Sequence, residues 1–481
     1  MASVKSWKEG ESGAPEFPAE FEVRNSAVLQ VTDIKTNRNK YYAIELHAAE
    51  NRFRVYTHYG RTDDLETSPD AGVRESRFFA SLADADACYA KIYAQKTSAA
   101  KGYKELSLAS ARIGSHRLRG QSSGHVDDET LGRLAADDGT GVAPVIVEST
   151  LHDEVQALVR LCYEEATSAL TNTVAARITA NGIETPLGVL TLGQIDKGQA
   201  ILDEAYALFK RNATPSPKTM SQLTDLSGAF YTLIPHRIGR SRAAAQEAVI
   251  DTLDEFSNKS ETLQLMRDML KVNGGADGAK VLFRDDIDSK YNALACDISW
   301  LEPGTSVFRE VKDYVERSQV KTKNIKVDRI FRLRRDAEYS VYDEKLGNHH
   351  MLFHGSRGKN WVGILSRGIL LPKIVVSLGV DRTDAGWLGS GIYFGNAACT
   401  SLYYTSPGGR KSRMLAIARV ALGKPKEFRK ITYGIDGPPS GFDSCHGVRN
   451  TATTPSQFED DELVVYRSEQ QRLEFLVEYR T

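Results

Sequence analysis

Three short islands in the last third of the chain hold side chains able to bind polar ligands or move protons. They are Leu352-Phe353-His354-Gly355-Ser356-Arg357, then Gly389-Ser390-Gly391-Ile392-Tyr393-Phe394 with Ser401 and Tyr404 downstream, and finally Asp461-Glu462-Leu463-Val464-Val465-Tyr466. Taken singly, each has an ordinary explanation. A histidine after two apolar residues is usually a core or turn residue, a tyrosine in a β run is usually core, and a glutamate leading into Leu-Val-Val-Tyr usually starts a solvated strand. Standard phosphate cradles are absent: there is no G-x-x-x-x-G-K-[ST], and Gly389-Ser390-Gly391 runs into a strand-like stretch rather than a helix. None of the 10 histidines sits in H-E-x-x-H, and the 5 cysteines lie tens of residues apart, without metal or disulfide-framework spacing. A P-loop enzyme, a Rossmann enzyme and a zincin are thereby excluded.

In this order, with short-range agreement around each, the islands resemble the catalytic domain of the poly(ADP-ribose) polymerases, over roughly Lys280 to Thr481. The resemblance implies NAD+ as substrate, held without a Rossmann fold and without a metal, with the His-Tyr-Glu trio at His354, Tyr393 and Glu462. It further implies that Gly355 backbone groups and Ser401 bind the carboxamide and that Tyr404 stacks on the nicotinamide ring. His354 would hold the adenosine-side ribose, with Ser356, Asn360 and Gly363 nearby. The chemistry agrees. Cleaving the bond between nicotinamide and ribose passes through an oxocarbenium-like state, so a carboxylate is needed near the sugar, and Glu462 supplies one. Nicotinamide is already a cationic leaving group, so the protein must hold it rotated and desolvated rather than protonate it. Three positions depart from the family pattern. Leu370 stands where DNA-dependent members commonly carry Arg, and Ser390 and Thr400 replace two common lysines. The stretch Pro372 to Trp387, expected to form the loop over the donor site, matches poorly.

The surrounding elements follow from periodicity. At roughly 150 residues per domain, 481 residues make about three domains, and 41% hydrophobic with 26% charged residues describes a folded, water-soluble chain. With 62 Lys+Arg against 63 Asp+Glu, the global charge selects no partner. Residues 1–20 read as a flexible tail without an apolar leader, and no apolar run is long enough to span a membrane. Residues 21–107 alternate like strands and end in a helix over Ser81 to Lys96, with Ser81 as its cap. Residues 108–145, rich in Gly, Ser, Arg and Asp, read as a linker. Residues 146–275 read as a helical bundle, broken at Pro186, at Pro215 with Pro217, and at Pro235. From 280 to 481 short β-like runs return, among them Ile364 to Leu371, Met414 to Leu422 and Leu463 to Tyr466. The expected fold is multidomain α+β: a small α+β domain, an all-α bundle and a β-rich transferase domain.

The first domain also resembles a family module. His58-Tyr59-Gly60-Arg61, with Asn39-Lys40-Tyr41-Tyr42 before it and Lys101-Gly102-Tyr103 after it, resembles a WGR domain with Tyr59 in place of the name-giving Trp. The resemblance implies that it binds DNA strand breaks, Tyr59 stacking on a terminal sugar or base and Arg61 facing phosphate. Pro186-Leu187-Gly188 and Phe230-Tyr231-Thr232-Leu233-Ile234-Pro235-His236 resemble the regulatory helical domain of the same enzymes. There Glu261 and Asp268 fall where family members place acids facing the NAD crevice, the third such position being Gln264. The expectation is a monomeric, DNA-break-stimulated, autoinhibited poly(ADP-ribose) polymerase acting on protein acceptors including itself. It would work in the nucleus of a eukaryote or in the cytoplasm or nucleoid of a prokaryote. The alternatives are a mono-ADP-ribosyltransferase or NAD glycohydrolase, and an inactive DNA-end-binding scaffold. Glu462, which family members need for chain elongation, argues against mono-transfer.

Overall fold

The computed structural model describes residues 4–68, 70–123, 149–179, 182–211, 216–236, 238, 241–273, 287–320, 324–371, 386–408 and 410–481. It divides into two compact units: Met1–Ala143, Leu170–Leu270 and Asp277–Leu282 in one, and Pro144–Ala169, Lys271–Ala276 and Phe283–Thr481 in the other.

In the first unit, alternation of apolar and polar residues produces an antiparallel sheet of β1 (Trp7–Lys8), β2 (Glu22–Asp33), β3 (Arg38–Ala49), β4 (Arg52–Arg61), β5 (Val73–Phe79) and β6 (Lys104–Glu105). Their spatial order is β1-β5-β4-β3-β2-β6. One face, carrying Leu29, Ile44, Leu46 and Val55, packs on Ala85 and Tyr89 of helix α1 (Leu82–Thr97). Ser81 caps this helix as expected, its hydroxyl accepting from the Asp84 amide at 3.2 Å. Two expectations fail here. Part of the supposed tail is β1, paired with β5 through Trp7↔Ser76 and Lys8↔Glu75. The linker, as far as it is described (108–123), is ordered: Leu108, Ala109, Ala111, Ile113 and Leu118 are buried. The reason lies on the second face of the sheet, where Glu45 and His58 are fully buried and require partners. Backbone amides of this segment provide them, Ser115 N–H to Glu45 at 2.7 Å and Gly114 N–H to His58 Nδ1 at 3.1 Å. Residues 124–145 of the supposed linker lie outside the described residues.

Helix α2 (Asp153–Thr173) runs from the second unit's residues into the first's, and α3 (Leu192–Lys210), α4 (Pro217–Leu233), α5 (Arg242–Glu247) and α6 (Leu253–Asn273) follow. Pro217 opens α4 at its first turn, where its missing N–H costs nothing. The bundle is not all-α. Strand β7 (Leu108–Ala111) pairs with β10 (Gly188–Leu190), which pairs with β9 (Gly182–Glu184) and then β8 (Arg177–Thr179). Pro186 sits in the turn between β9 and β10, closed by Thr185 and Gly188, rather than between helices. Contacts across the first unit are close: the Thr32 amide donates to Thr232 Oγ1 at 2.8 Å, and a Cβ built on Gly228 would stand 2.8 Å from the Thr32 carbonyl oxygen.

The second unit holds a mixed sheet of β11 (Asp297–Trp300), β12 (Lys326–Arg334), β13 (His349–Gly355), β14 (Ile392–Gly395), β15 (Arg413–Ala421), β16 (Pro425–Phe428), β17 (Ser444–Gly447), β18 (Glu462–Val465) and β19 (Gln471–Arg480). Its order is β11-β12-β19-β15-β13-β14-β18-β17-β16. Helices α7 (Ile287–Ala293), α8 (Ser306–Arg317), α9 (Asp336–Tyr339) and α10 (Trp361–Arg367) flank it. Phe308, Val311 and Val315 of α8 pack on Phe353, Leu415, Ile417 and Val477 of the sheet. The run Ile364 to Leu371, read as a strand, begins instead inside α10. Trp361, Val362, Gly363, Ile364 and Leu365 are all buried there, and a helix hydrophobic all round cannot be told from a strand by alternation. Among the described residues no helix is long and apolar enough to cross a membrane. The stretch 372–385 lies outside the described residues.

Candidate active site

Three neighbouring strands of the second unit carry the three sequence-predicted catalytic side chains. β14 lies between β13 and β18, with Phe353 opposite Gly395, Tyr393 opposite Val464, and Gly395 opposite Glu462. Sheet register thus sets the strands that carry His354, Tyr393 and Glu462 side by side although 108 residues separate the first from the last in sequence.

Each side chain is held in a defined state. His354 Nδ1 lies 3.0 Å from the Tyr393 carbonyl oxygen. A carbonyl only accepts, so Nδ1 carries the proton and Nε2 is left as an acceptor, suited to a hydroxyl donor. Burial lowers the basicity of this imidazole against the opposing effect of that hydrogen bond, which keeps it neutral. The Tyr393 hydroxyl donates to the Gly389 carbonyl at 2.7 Å and accepts from the Leu388 amide at 3.0 Å, tying β14 to the preceding turn. Burial pushes its acidity well down, and the nearby Glu462 charge adds to that effect.

Glu462 and Asp461 are adjacent acids with opposite environments. Burial raises the Glu462 carboxyl to about 7, with the Asp460 charge contributing. Asp461 points to the other side of the strand, where it accepts from His446 Nε2 at 2.8 Å, the Arg449 amide at 3.1 Å and Asn396 Nδ2 at 3.1 Å. Those bonds, chiefly the one from His446, hold it down at about 2. Neighbouring acids driven apart in this way can divide labour, one a permanent charge and the other a proton acceptor near neutral pH.

A tight cradle stands beside the trio. Ser401 lies on a 3₁₀ turn, Ala398–Tyr404, with its side chain buried, and a Cβ on Gly355 would overlap the Ser401 carbonyl oxygen. Only glycine permits this approach of two backbones, the Gly355–Ser401 ledge. Tyr404 ends the turn and is 49% exposed, able to cover a ring. Ser356 accepts from Asn360 Nδ2 at 3.1 Å, so those two predicted residues meet, while Gly363 is buried within α10. Leu370, in place of an arginine, is exposed.

One nearby group escaped the sequence reading. Glu165 of α2 reaches the loops that bound the cradle: Cβ atoms built on Gly358 and Gly408 would each stand 2.8 Å from one of its carboxylate oxygens. Nothing in the sequence distinguishes it from the other acids on that helix.

In the first unit, Tyr59 and Arg61 emerge on the α1 side of β4. Tyr59 stacks on Tyr42 at 5.3 Å and donates to Glu75 at 2.9 Å. Arg61 pairs with Asp63 at 2.8 Å and donates to the Asn37 carbonyl at 3.2 Å. Glu261 and Asp268 lie seven residues apart on α6, hence on one side of it; Asp268 is buried and accepts from Gln264 at 2.9 Å.

Comparison with known proteins addresses the modules themselves. The chain matches the family models of the WGR domain over residues 25–109, the poly(ADP-ribose) polymerase regulatory domain over 149–291 and the poly(ADP-ribose) polymerase catalytic domain over 305–481. It is 35% identical over 341 residues to protein mono-ADP-ribosyltransferase PARP4 of Mus musculus, covering 70% of this chain and 16% of that one. To poly [ADP-ribose] polymerase 1 of Xenopus laevis it is 28% identical over 445 residues, 90% of this chain and 41% of that protein. To protein mono-ADP-ribosyltransferase PARP3 of Mus musculus it is 25% identical over 500 residues, 94% and 87% respectively. The chain thus spans less than a fifth of the length of the mouse PARP4 relative and less than half that of the frog polymerase. With the three modules matched in family order and the predicted trio carried on adjacent strands, the chain belongs to the poly(ADP-ribose) polymerase family.

Proposed function

We propose that the chain transfers ADP-ribose from NAD+ to protein acceptors, itself included, releasing nicotinamide and extending the product into poly(ADP-ribose). The observation that carries the reading is Glu462, a carboxyl poised near neutral pH on the strand next to Tyr393 and one strand further from His354. Nicotinamide would lie on the Gly355–Ser401 ledge under Tyr404, and His354 Nε2 would accept from a ribose hydroxyl. Glu462 would orient the attacking hydroxyl and take its proton as the oxocarbenium-like sugar is captured. Tyr59 and Arg61 would engage DNA breaks, whose binding loosens the helical region and admits NAD+. Mono-transfer is the second reading, favoured by the 35% identity to a mono-ADP-ribosyltransferase and by Leu370, Ser390 and Thr400 in place of family cations. Labelled NAD+ with and without nicked duplex, resolved on a sequencing-length gel, separates them. A DNA-dependent ladder is the expected result. A single short adduct would replace polymerase by mono-transferase, and no nicotinamide release would remove the enzyme reading.

Two smaller predictions arise from the same site. Gly355→Ala forces the ledge apart at a cost of about 1–3 kcal/mol, expected to raise KM for NAD+ about tenfold or more with less change in kcat. An unchanged KM would mean that the ledge does not hold the donor. Glu165→Gln removes a negative charge beside Gly358 and Gly408 and is expected to raise DNA-independent transfer several-fold, since an anionic donor no longer meets a fixed carboxylate. Equal basal rates in wild type and variant would dismiss Glu165 as a restraint.

A further inference from the structure

On the sheet face opposite Tyr59 and Arg61 lies a cavity of about 470 Å³, bounded by β1, β4, β5 and residues 114–119. Strand alternation separates the two places: Arg54 and Tyr56 point to one side of β4, Tyr59 and Arg61 to the other. Its volume falls within the range of small-molecule sites.

The lining combines flat rings with an excess of cations. Trp7, Tyr56 and Phe78 supply the rings, and Arg54, Arg74 and Arg119 the guanidinium groups, with Lys8 at the rim. Two carboxylates oppose these four cations, Glu9 and Asp70. Asp70 is shared, lying 3.1 Å from Arg74 and 2.7 Å from Arg119, and Glu9 stands 3.8 Å from Arg74.

Arg54 is the least compensated and the best fixed. Its Nε donates to His47 Nδ1 at 2.9 Å. A guanidinium never accepts, so His47 Nδ1 must be the acceptor and Nε2–H the donor to Glu45, 2.9 Å away. Glu45 is already engaged by that bond and by the Ser115 amide and hydroxyl. Phe17 and Phe21 lie 4.4 and 4.8 Å from the guanidinium carbon and hold its plane. Among the described residues no carboxylate stands at ion-pair distance from it. A half-buried cation held in place without a counter-ion at ion-pair distance is a ready partner for an anion.

We propose that this cavity binds a nucleoside diphosphate, its base against the Trp7, Tyr56 and Phe78 rings and its phosphates on Arg54, Arg74 and Arg119. Rings and arginine forks together suit a flat heterocycle joined to a compact, multiply charged anion, and a carboxylate peptide would use only half of them. Calorimetric titration of the full chain with ADP tests this. The expected result is saturable binding that Arg54→Gln weakens at least tenfold and His354→Ala leaves intact. Ser76→Tyr, which fills the cavity from β5 without touching the Arg54–His47–Glu45 chain, is expected to abolish it, and decides the matter if Arg54→Gln fails to fold. Binding lost in His354→Ala but kept in the other two would place ADP in the candidate donor site and overturn the proposal. So would inorganic phosphate binding as tightly as ADP, or a 5′-phosphorylated duplex displacing ADP through Arg54, which would assign the cavity to the terminal nucleotide of a DNA strand.

Discussion

Glu462→Gln is expected to lower ADP-ribose transfer by about 10²-fold or more, the range lost with a positioned general base. The amide keeps the shape and one acceptor but cannot take a proton. With the carboxyl at about 7 in the folded protein, kcat/KM of the wild type should rise about tenfold per pH unit below that value and level off above it. The variant should lose this acid limb. A second readout follows from linkage. Because the native carboxyl is raised above its ordinary 4.5, the folded chain retains a proton that the unfolded chain has lost between 4.5 and about 7. Native stability therefore falls as pH rises through that window, and Gln at 462 should remove that part of the fall, visible as a smaller Tm difference between pH 5 and pH 8. Transfer in the variant within twofold of wild type would exclude Glu462 from the chemistry.

Gly228→Leu is expected to uncouple DNA from catalysis. The helix α4 backbone at Gly228 lies against the Thr32 carbonyl, where even a Cβ would come to 2.8 Å, and the Thr32 amide is bonded to Thr232 one turn on. A leucine must push β2 and α4 apart, at about 1–3 kcal/mol. The ratio of transfer with nicked DNA to transfer without it should drop about tenfold or more, while DNA affinity, measured by anisotropy of a labelled duplex, changes little. A preserved ratio would show that this contact carries no signal. The milder Thr232→Val removes the hydroxyl that accepts from the Thr32 amide and donates to the Gly228 carbonyl, and should give a partial loss.

The strands that carry the candidate trio were more legible than the rest of the architecture. His354, Tyr393 and Glu462 each come with a local signature, although the strands that carry them do not alternate: Leu463, Val464 and Val465 of β18 are all buried. What escaped was information that resides in another part of the chain. Residues 108–123 have no hydrophobic period of their own; they are ordered because Glu45 and His58, on strands far earlier in the sequence, need their amides. Ile364 and its neighbours form a helix buried on all sides, where neither a period of 2 nor one of 3.6 survives. Glu165 was invisible for the same reason: an acid on a helix acquires meaning only from the loops it meets.

Strand β7 has a practical corollary for anyone dissecting or recombining these proteins. The WGR match ends at residue 109, two residues into a strand that runs from Leu108 to Ala111 and is paired along its length with β10. A cut at the apparent module boundary would strip β10 of its neighbour, bare the buried side chains of Leu108 and Ala111, and leave an unpaired edge that invites aggregation. The two modules are consequently not interchangeable cassettes. A chimera that swaps the N-terminal module between relatives has to place its junction beyond Ser123 and bring its own version of residues 108–123 along, and a truncated regulatory-catalytic fragment is best begun upstream of Leu108.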